Sequence, residues 1–290
     1  MMYSKYFGLA RKPFALEPDP NIIYMSDAYK EAIAVLRYGF LDRRGFVLLT
    51  GEIGTGKTTM LRLLFQTLPK SVQVCFISNP LLSGDDFYYY LASEYNLAEY
   101  SGSKAKFLKN FEVFLGSCLK KGEQVLLVID EAHLLSYELF EEIRLLANQK
   151  FQVLSIFLVG QPELQEKLRD PRLTALRQRI GLKFHLEPFP EKETGYYIKL
   201  RLLRSGAQRL DIFNDEAVAL IYRASKGVPR VINQICDQAL LTGFAANQHC
   251  IDAGIITECV KELDYNGIEV EPPAPVKRPL MARIKEWLHN

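Results

Sequence analysis

A glycine-rich segment followed by a lysine and a threonine is the part of this sequence best suited to chemistry. Residues 51–58 read GEIGTGKT and match the pattern G-x-x-x-x-G-K-[ST] in full. Glycines allow a backbone loop whose N–H groups point inward at phosphate oxygens, and a helix that starts after the loop adds the positive end of its dipole. The segment therefore predicts a site for the phosphates of a nucleotide, ATP.

The side chains of this loop have distinct expected roles. Lys57 reaches the β- and γ-phosphates, and the Thr58 hydroxyl is a ligand of Mg²⁺. The backbone of the loop supplies the remaining phosphate contacts. The residues that we expect to contact the nucleotide here are Gly51, Ile53, Gly54, Thr55, Gly56, Lys57, Thr58 and Thr59.

Two acidic residues, Asp130 and Glu131, follow the apolar run at residues 125–129. Ligands of open α/β sheets bind at the carboxyl ends of the strands, which is where this pair is expected to lie. Asp130 is expected to hold Mg²⁺ through water, and Glu131 suits a general base that polarises the attacking water. A phosphate loop alone indicates binding, whereas this pair predicts hydrolysis of ATP.

Residues 130–133 read DEAH, which also occurs in one class of helicases. The chain has no room for the two tandem motor domains of that class. We therefore interpret the match as a coincidence and His133 as a residue at the start of a helix.

Five short apolar runs alternate with segments of helical periodicity in the first two thirds of the chain. Nearly continuous apolar runs are typical of strands that are buried on both faces of a parallel sheet. The alternation predicts an α/β fold with a doubly wound sheet domain of five parallel strands. The predicted strands are residues 46–50, 72–78, 125–129, 153–159 and 182–186, and the predicted helices are 58–68, 86–95, 104–119, 137–148 and 162–169.

Beyond Pro188 and Pro190 the periodicity is helical only, which predicts a small all-helical lid domain after the sheet domain. Its predicted helices are residues 195–205, 214–225, 229–245 and 253–263.

The whole chain is predicted to divide into an N-terminal segment with a first helix (1–45), the sheet domain (46–188), the lid (189–266), a proline-rich linker (267–279) and a short amphipathic segment (280–290). The last segment has three open interpretations: packing on its own lid or a neighbouring subunit, docking to a partner, and shallow association with a membrane.

Composition excludes several classes of protein. The formal charge of +2 on 290 residues does not indicate a dedicated nucleic-acid binder, and the five scattered cysteines indicate reduced thiols. An apolar signal-peptide core is absent near the N-terminus, and no stretch approaches the roughly 20 apolar residues of a membrane span. The expected location is the cytoplasm, with peripheral association at the inner-membrane face left open.

Several short motifs carry a resemblance to a known family. They are YFGL at 6–9, PF at 13–14, PDP at 18–20, Tyr24 and Ser26, the segment 51–59, residues 128–133, LVGQPEL at 158–164, QRI at 178–180 and GVPR at 227–230. With these motifs the sequence resembles the AAA+ ATPases, and within them the family of general secretion pathway protein A and the MSHA-pilus biogenesis ATPases. Tyr29 departs from the family pattern, since many relatives have histidine there.

The resemblance assigns further roles by position. It implies that Gln161 is a sensor that orients the attacking water, and that Arg230 is a second sensor on the lid that faces the γ-phosphate. It also implies that Arg179, or else Arg177, reaches the γ-phosphate bound by a neighbouring subunit of a homo-oligomer. Residues 18–24 would lie against the adenine, with Ile22, Ile23 or Tyr24 as apolar contacts.

The resulting hypothesis is a Mg-dependent ATPase that energises or regulates the assembly of a bacterial envelope system. Type II secretion, an MSHA-type pilus and exopolysaccharide export are the systems that the resemblance implies, with an envelope-assembly protein as partner. The alternative is a DNA-associated AAA+ ATPase of the transposition-regulator type, with phosphate contacts from the basic residues Lys199, Arg201, Arg204 and Arg209. A third hypothesis is a nucleotide-gated switch with negligible turnover.

Overall fold

The computed structural model describes residues 2–16, 22–98, 100–148 and 151–263. The predicted PDP motif, the proline-rich linker and the amphipathic segment at 280–290 lie outside the described residues. All statements on the fold below concern the described part of the chain.

Five parallel strands form a single sheet. They are β1 (Phe46–Gly51), β2 (Gln73–Ile77), β3 (Val125–Ile129), β4 (Leu154–Gly160) and β5 (Ile180–Leu186), in the order β2-β3-β4-β1-β5. Every residue of β1, β3 and β4 is buried, which explains why each is a continuous apolar run. β5 lies at an edge and alternates in burial, and its first two residues were outside the predicted strand. The predicted five-stranded parallel sheet is confirmed.

Eight helices precede the lid in the described residues. They are α1 (Met2–Tyr6), α2 (Asp27–Leu41), α3 (Lys57–Thr67), α4 (Gly84–Glu94), α5 (Lys104–Lys121), α6 (Tyr137–Leu146), α7 (Glu163–Lys167) and α8 (Thr174–Arg177), with 3-10 turns at Ala132–Leu134 and Pro171–Leu173. One face of the sheet packs on α2 and α3, where Leu49 joins the cluster of Leu36 and Met60. The other face packs on α4, α5 and α6, where Leu48 joins Phe87 and others.

Polar capping residues determine where several helices begin. Helices α2, α4, α5 and α6 each follow a serine whose hydroxyl accepts a hydrogen bond from a backbone N–H three residues later. Because Ser83 caps α4, this helix begins two residues before the predicted start at 86. Helix α7 is shorter than the predicted span 162–169.

After β5 the described chain consists of helices and the loops between them, with one isolated bridge between Phe213 and Ile251. The lid consists of α9 (Glu191–Arg204), α10 (Asp215–Ser225), α11 (Pro229–Ala245) and α12 (Ala253–Glu262). Helix α9 begins four residues before the predicted start at 195, and its first turn holds Glu191 and Glu193, which suit the positive end of the helix dipole. The predicted helical lid is confirmed as a structural feature.

Residues 2–16 pack on the lid. Ala10 donates its backbone N–H to Ser205 at 2.8 Å, and the Tyr3 hydroxyl donates to Asp237. The ring of Tyr6 stacks on His249 with centroids 4.0 Å apart. Residues 1–45 were predicted as one unit, but the two helices of this range contact different parts of the protein. Helix α1 packs on the lid, and α2 packs on α3 and β5. None of the described helices is long and apolar enough to cross a bilayer.

Candidate nucleotide-binding and hydrolysis site

The predicted phosphate loop lies between β1 and α3, at the carboxyl edge of the sheet. Gly56 is the residue before α3 and has φ of +100°, a conformation that other residues rarely adopt. A Cβ atom on Gly56 would also collide with the hydroxyl of Tyr29. The loop conformation therefore requires glycine at this position.

Lys57 is buried inside this loop. Its ammonium group donates hydrogen bonds to the backbone oxygens of Gly51 at 2.8 Å and Glu52 at 2.9 Å. Burial lowers the pKa of Lys57, and the nearby carboxylates of Glu131 and Asp130 oppose this shift. The loop thus presents a positive charge at the carboxyl edge of the sheet, where a phosphate group would be attracted.

Thr58 and Asp130 meet at the start of α3. The Thr58 hydroxyl donates to Asp130 Oδ2 at 2.8 Å, and Asp130 Oδ1 accepts the backbone N–H of Glu131 at 2.9 Å. Burial raises the pKa of Asp130, and the hydrogen bond from Thr58 opposes the shift. Mg²⁺ prefers such oxygen ligands and usually takes only one or two from the protein, with waters and phosphates completing its octahedron. Thr58 and Asp130 therefore fit the predicted metal role.

Glu131 and Gln161 also come together, as predicted for a base and a sensor. Gln161 follows β4 directly, and its side-chain amide donates to Glu131 Oε2 at 3.4 Å. Glu131 has φ of +51°, and its side chain is 39% exposed. The carboxylate therefore faces the open side of the site, where water has access.

A cavity of about 450 Å³ extends from the phosphate loop toward the lid. Ile53, Gly54, Gly56, Lys57, Thr58, Thr59 and Glu131 line one end. Ile22, Ile23, Tyr24, Phe189 and Tyr197 line the other end, and Tyr29 lies between the two ends, with its ring near Phe189 and its hydroxyl at the phosphate loop. A cavity of this volume, charged at one end and aromatic at the other, suits a nucleotide. The predicted adenine contacts Ile23 and Tyr24 lie on its wall.

The lid closes one side of this cavity through Arg230. The backbone N–H of Arg230 donates to the Gly54 oxygen at 3.2 Å, and a Cβ atom on Gly54 would lie only 2.6 Å from Arg230 Cβ. Arg230 also lines the cavity. The predicted second sensor is therefore in direct contact with the phosphate loop, through its backbone.

Arg177 and Arg179 lie elsewhere on the surface. Arg179 donates to the backbone oxygen of Arg144 at 3.4 Å, and Arg177 donates to that of Arg169 at 3.2 Å. Neither arginine is among the described residues that line the cavity. A role in the site of a neighbouring subunit stays a prediction for both.

A hydrogen-bonded group at the aromatic end of the cavity was not predicted from the sequence. Arg201 is only 9% exposed and donates to the backbone oxygens of Pro13 at 2.6 Å and Ala15 at 3.0 Å. It also donates to the Tyr197 hydroxyl at 2.9 Å, which in turn donates to Asn233 at 2.8 Å. The basic surface expected from residues 199–209 is thus wrong for Arg201, because this side chain points inward to hold the N-terminal segment.

Tyr29, the departure from the family pattern, contacts the phosphate loop directly. Its hydroxyl donates to the backbone oxygen of Thr55, and the side chain is buried. Burial raises the pKa of Tyr29, which keeps the hydroxyl protonated as a donor.

Replacing Arg201 with methionine is expected to destabilise the fold by about 3 kcal/mol, because the buried carbonyl group of Pro13 and the half-buried one of Ala15 lose a charged donor. Chemical denaturation would measure the loss, and limited proteolysis would reveal release of residues 2–16. Arg204→Met changes an exposed arginine on the same helix and is expected to cost less than about 0.5 kcal/mol. Equal losses in the two variants would contradict the anchoring role of Arg201.

Comparison with known proteins agrees with the fold. Residues 41–168 match the family described as AAA domain. The solved structure of Cdc6p from Pyrobaculum aerophilum superposes with a TM-score of 0.67 at 15% identity, covering 86% of this chain and 70% of that one. The structure of Drosophila ORC bound to DNA gives 0.65 at 18% identity, covering 89% and 65%. At these identities the likeness shows the fold alone, which is a P-loop AAA fold with a helical C-terminal part.

One sequence relative is similar to this chain over most of its length. General secretion pathway protein A of Aeromonas hydrophila is 39% identical to this chain over 268 residues, which are 90% of this chain and 48% of the relative. The chain thus spans about half the length of this relative. The predicted resemblance to the general secretion pathway protein A family is confirmed.

Proposed function

We propose that this protein binds ATP with Mg²⁺ in the cavity beside the phosphate loop and hydrolyses it. The observation that carries the proposal is the convergence of Lys57, the Thr58–Asp130 pair and the Glu131–Gln161 pair at one end of the cavity. The aromatic end of the cavity would take the adenine, with Ile23 and Tyr24 against the base.

The roles of the residues follow from their positions. Glu131 accepts the proton of the attacking water, and the amide of Gln161 orients that water. Lys57 and Arg230 stabilise the negative charge that spreads over the γ-phosphate oxygens. When bound, Mg²⁺ held at Thr58 and Asp130 neutralises charge on the phosphates.

Turnover by the purified protein tests this proposal. Phosphate release from ATP is expected in the presence of Mg²⁺ and is expected to stop when a chelator removes the ion. Absence of release across a range of protein concentrations would contradict the proposed hydrolysis.

We also propose that the active form is a homo-oligomer in which Arg179 completes the site of the neighbouring subunit. Arg179→Ala is expected to lower turnover by about a hundredfold or more, because an arginine in trans stabilises transition-state charge. Mixing it with Glu131→Gln should restore activity, since one subunit then keeps its base and receives an intact arginine. Phosphate release from the mixture measures this, with Arg177→Ala as the matched comparison. A mixture no more active than the sum of its parts would contradict the role in trans.

The proposed biological role is to energise or regulate assembly of a bacterial envelope system. The name of the Aeromonas relative supports a link to secretion, and the partner would be an envelope-assembly protein. Affinity purification from cells with ATP and with ADP should recover membrane assembly proteins in a nucleotide-dependent manner. Recovery of DNA alone would contradict this role.

The DNA-associated alternative has less support than the sequence predicted. Arg201 is buried, and Arg209 pairs with Asp211 at 2.8 Å, so two of the four basic residues are engaged within the chain. Stimulation of hydrolysis by DNA at low salt would nevertheless favour it, since phosphate contacts weaken as salt rises.

A further inference from the structure

His133 lies beside the hydrolysis end of the site in the 3-10 turn that follows Glu131. Its side chain is 12% exposed and packs against Gly160, where a Cβ atom would lie 3.3 Å from His133 Nδ1. Lys167 on α7 donates to the backbone oxygen of His133 at 3.0 Å. The ring is therefore held between the end of β4 and α7, in a fixed position relative to the sheet.

The Nδ1 atom of His133 faces two groups that the proposed reaction uses. It lies 3.4 Å from Glu131 Oε2 and 3.5 Å from the backbone nitrogen of Gln161. One ring nitrogen serves one of these contacts at a time, because a protonated nitrogen donates and an unprotonated one accepts. A proton on Nδ1 would join His133 to the Glu131 carboxylate, and its absence would join His133 to the Gln161 N–H.

The side chain of Glu131 needs a hydrogen bond that holds its orientation. Its side chain is more than a third exposed, and its backbone has the left-handed φ of +51°. Among the described residues, its carboxylate accepts a hydrogen bond from the Gln161 amide at the same oxygen, Oε2. Two donors on Oε2 would leave Oε1 available to the attacking water, and a general base must be held within hydrogen-bond reach of the proton that it removes.

We propose that His133 is a positioning residue for ATP hydrolysis: an Nδ1–H group donates to Glu131 Oε2 and fixes the orientation of the base. The inference rests on the proposed hydrolysis and on Glu131 as its base. It replaces the interpretation of His133 as a residue that merely starts a helix. Its effect passes through Glu131, so it acts on the rate of the chemical step and leaves the affinity for ATP unchanged.

A pair of variants with nearly the same shape tests this role. Asparagine carries its amide nitrogen on Cγ, where histidine carries Nδ1, so His133→Asn keeps a donor near Glu131. His133→Leu has a similar branched shape without a donor. We expect His133→Leu to lower kcat by about ten- to a hundredfold, because small misplacement of a catalytic group has effects of this size. His133→Asn should recover most of the rate, and both should bind ATP as the wild type does.

Three measurements decide the outcome: kcat from phosphate release, Kd from titration with a fluorescent ATP analogue, and thermal unfolding. His249→Asn is the matched control, because His249 stacks on Tyr6 at the lid and does not line the cavity. It should leave kcat unchanged. A purely structural role for His133 predicts equal losses in the Asn and Leu variants, together with a lower unfolding temperature.

Three outcomes would overturn the proposal while hydrolysis itself stands. They are equal kcat in the wild type and both variants, equal losses of kcat in both variants, and a loss of affinity for ATP without a loss of kcat. Absence of turnover in the wild type would overturn the proposed function, and the role of His133 would fall with it. Turnover by the wild type, a low kcat for His133→Leu and a kcat near that of the wild type for His133→Asn would support both the proposed hydrolysis and the role of His133.

Discussion

Replacing Glu131 with glutamine is expected to lower kcat for ATP hydrolysis by at least about a hundredfold and to leave ATP binding intact. Glutamine keeps the shape of the side chain and its contact with Gln161, but it cannot accept the proton of the attacking water. Lys57, Thr58 and Asp130, which are expected to hold the phosphates and the metal, are unchanged. Phosphate release and titration with a fluorescent ATP analogue would measure the two effects separately.

A neighbouring acidic residue provides the control for this prediction. Glu163 begins α7 and contributes to the negative potential at Lys57. No hydrogen bond of the described residues joins Glu163 to Glu131. Glu163→Gln removes the same charge and is expected to have a small effect on kcat. Similar rates in wild type and Glu131→Gln would rule out Glu131 as the base. A wild type that binds ATP without turnover would instead favour the hypothesis of a nucleotide-gated switch.

Gly227→Ala is expected to destabilise the protein by more than about 3 kcal/mol and to prevent folding in the extreme case. Gly227 has φ of +76°, and a Cβ atom there would lie 1.8 Å from the backbone oxygen of Phe189. The two segments cannot easily separate, because the Phe189 N–H donates to the Gly227 oxygen at 2.9 Å. This contact joins the segment between β5 and α9 to the turn that precedes α11 and Arg230.

Gly122→Ala separates the two causes of the expected loss of stability, which are the positive φ and the collision of the added Cβ atom. Gly122 ends α5 with φ of +70°, and no atom lies within 4 Å of the position of its missing Cβ. The variant carries the backbone strain alone, which is worth about 1–2 kcal/mol. Free energies of unfolding from chemical denaturation should therefore differ between the variants by at least about 1–2 kcal/mol. Equal losses would contradict the close contact between Gly227 and Phe189.

The parts of the site that lie close together in sequence were predictable. The glycines and Lys57 occupy one loop, and Asp130 and Glu131 adjoin one apolar strand, so their chemistry follows from spacing. The resemblance placed Gln161 and Arg230, which lie at the end of β4 and the start of α11 as expected. The sheet was predictable because β1, β3 and β4 are buried on both faces and so have continuous apolar sequences.

Contacts between distant segments were not predictable from the same patterns. Arg201 is one of several basic residues on α9, and periodicity does not reveal that its partners are carbonyl groups near the N-terminus. His133 shows the same limit: the motif DEAH gives its position in the chain, but its contact with Gln161 depends on how β4 lies beside β3. Tyr29 likewise reaches the phosphate loop only because α2 packs against α3.

The packing of the N-terminal segment on the lid bears on the order in which the chain folds during its synthesis. Tyr3 is bonded to Asp237, which is 234 positions later in the chain. At about 5–20 residues per second, the ribosome needs roughly 10–50 s to reach that partner after making Tyr3. Throughout this interval the apolar side chains of Phe7 and Phe14 lack the lid that buries them. This segment is thus made well before its native contacts can form, and the nascent chain exposes apolar side chains that favour aggregation and chaperone binding.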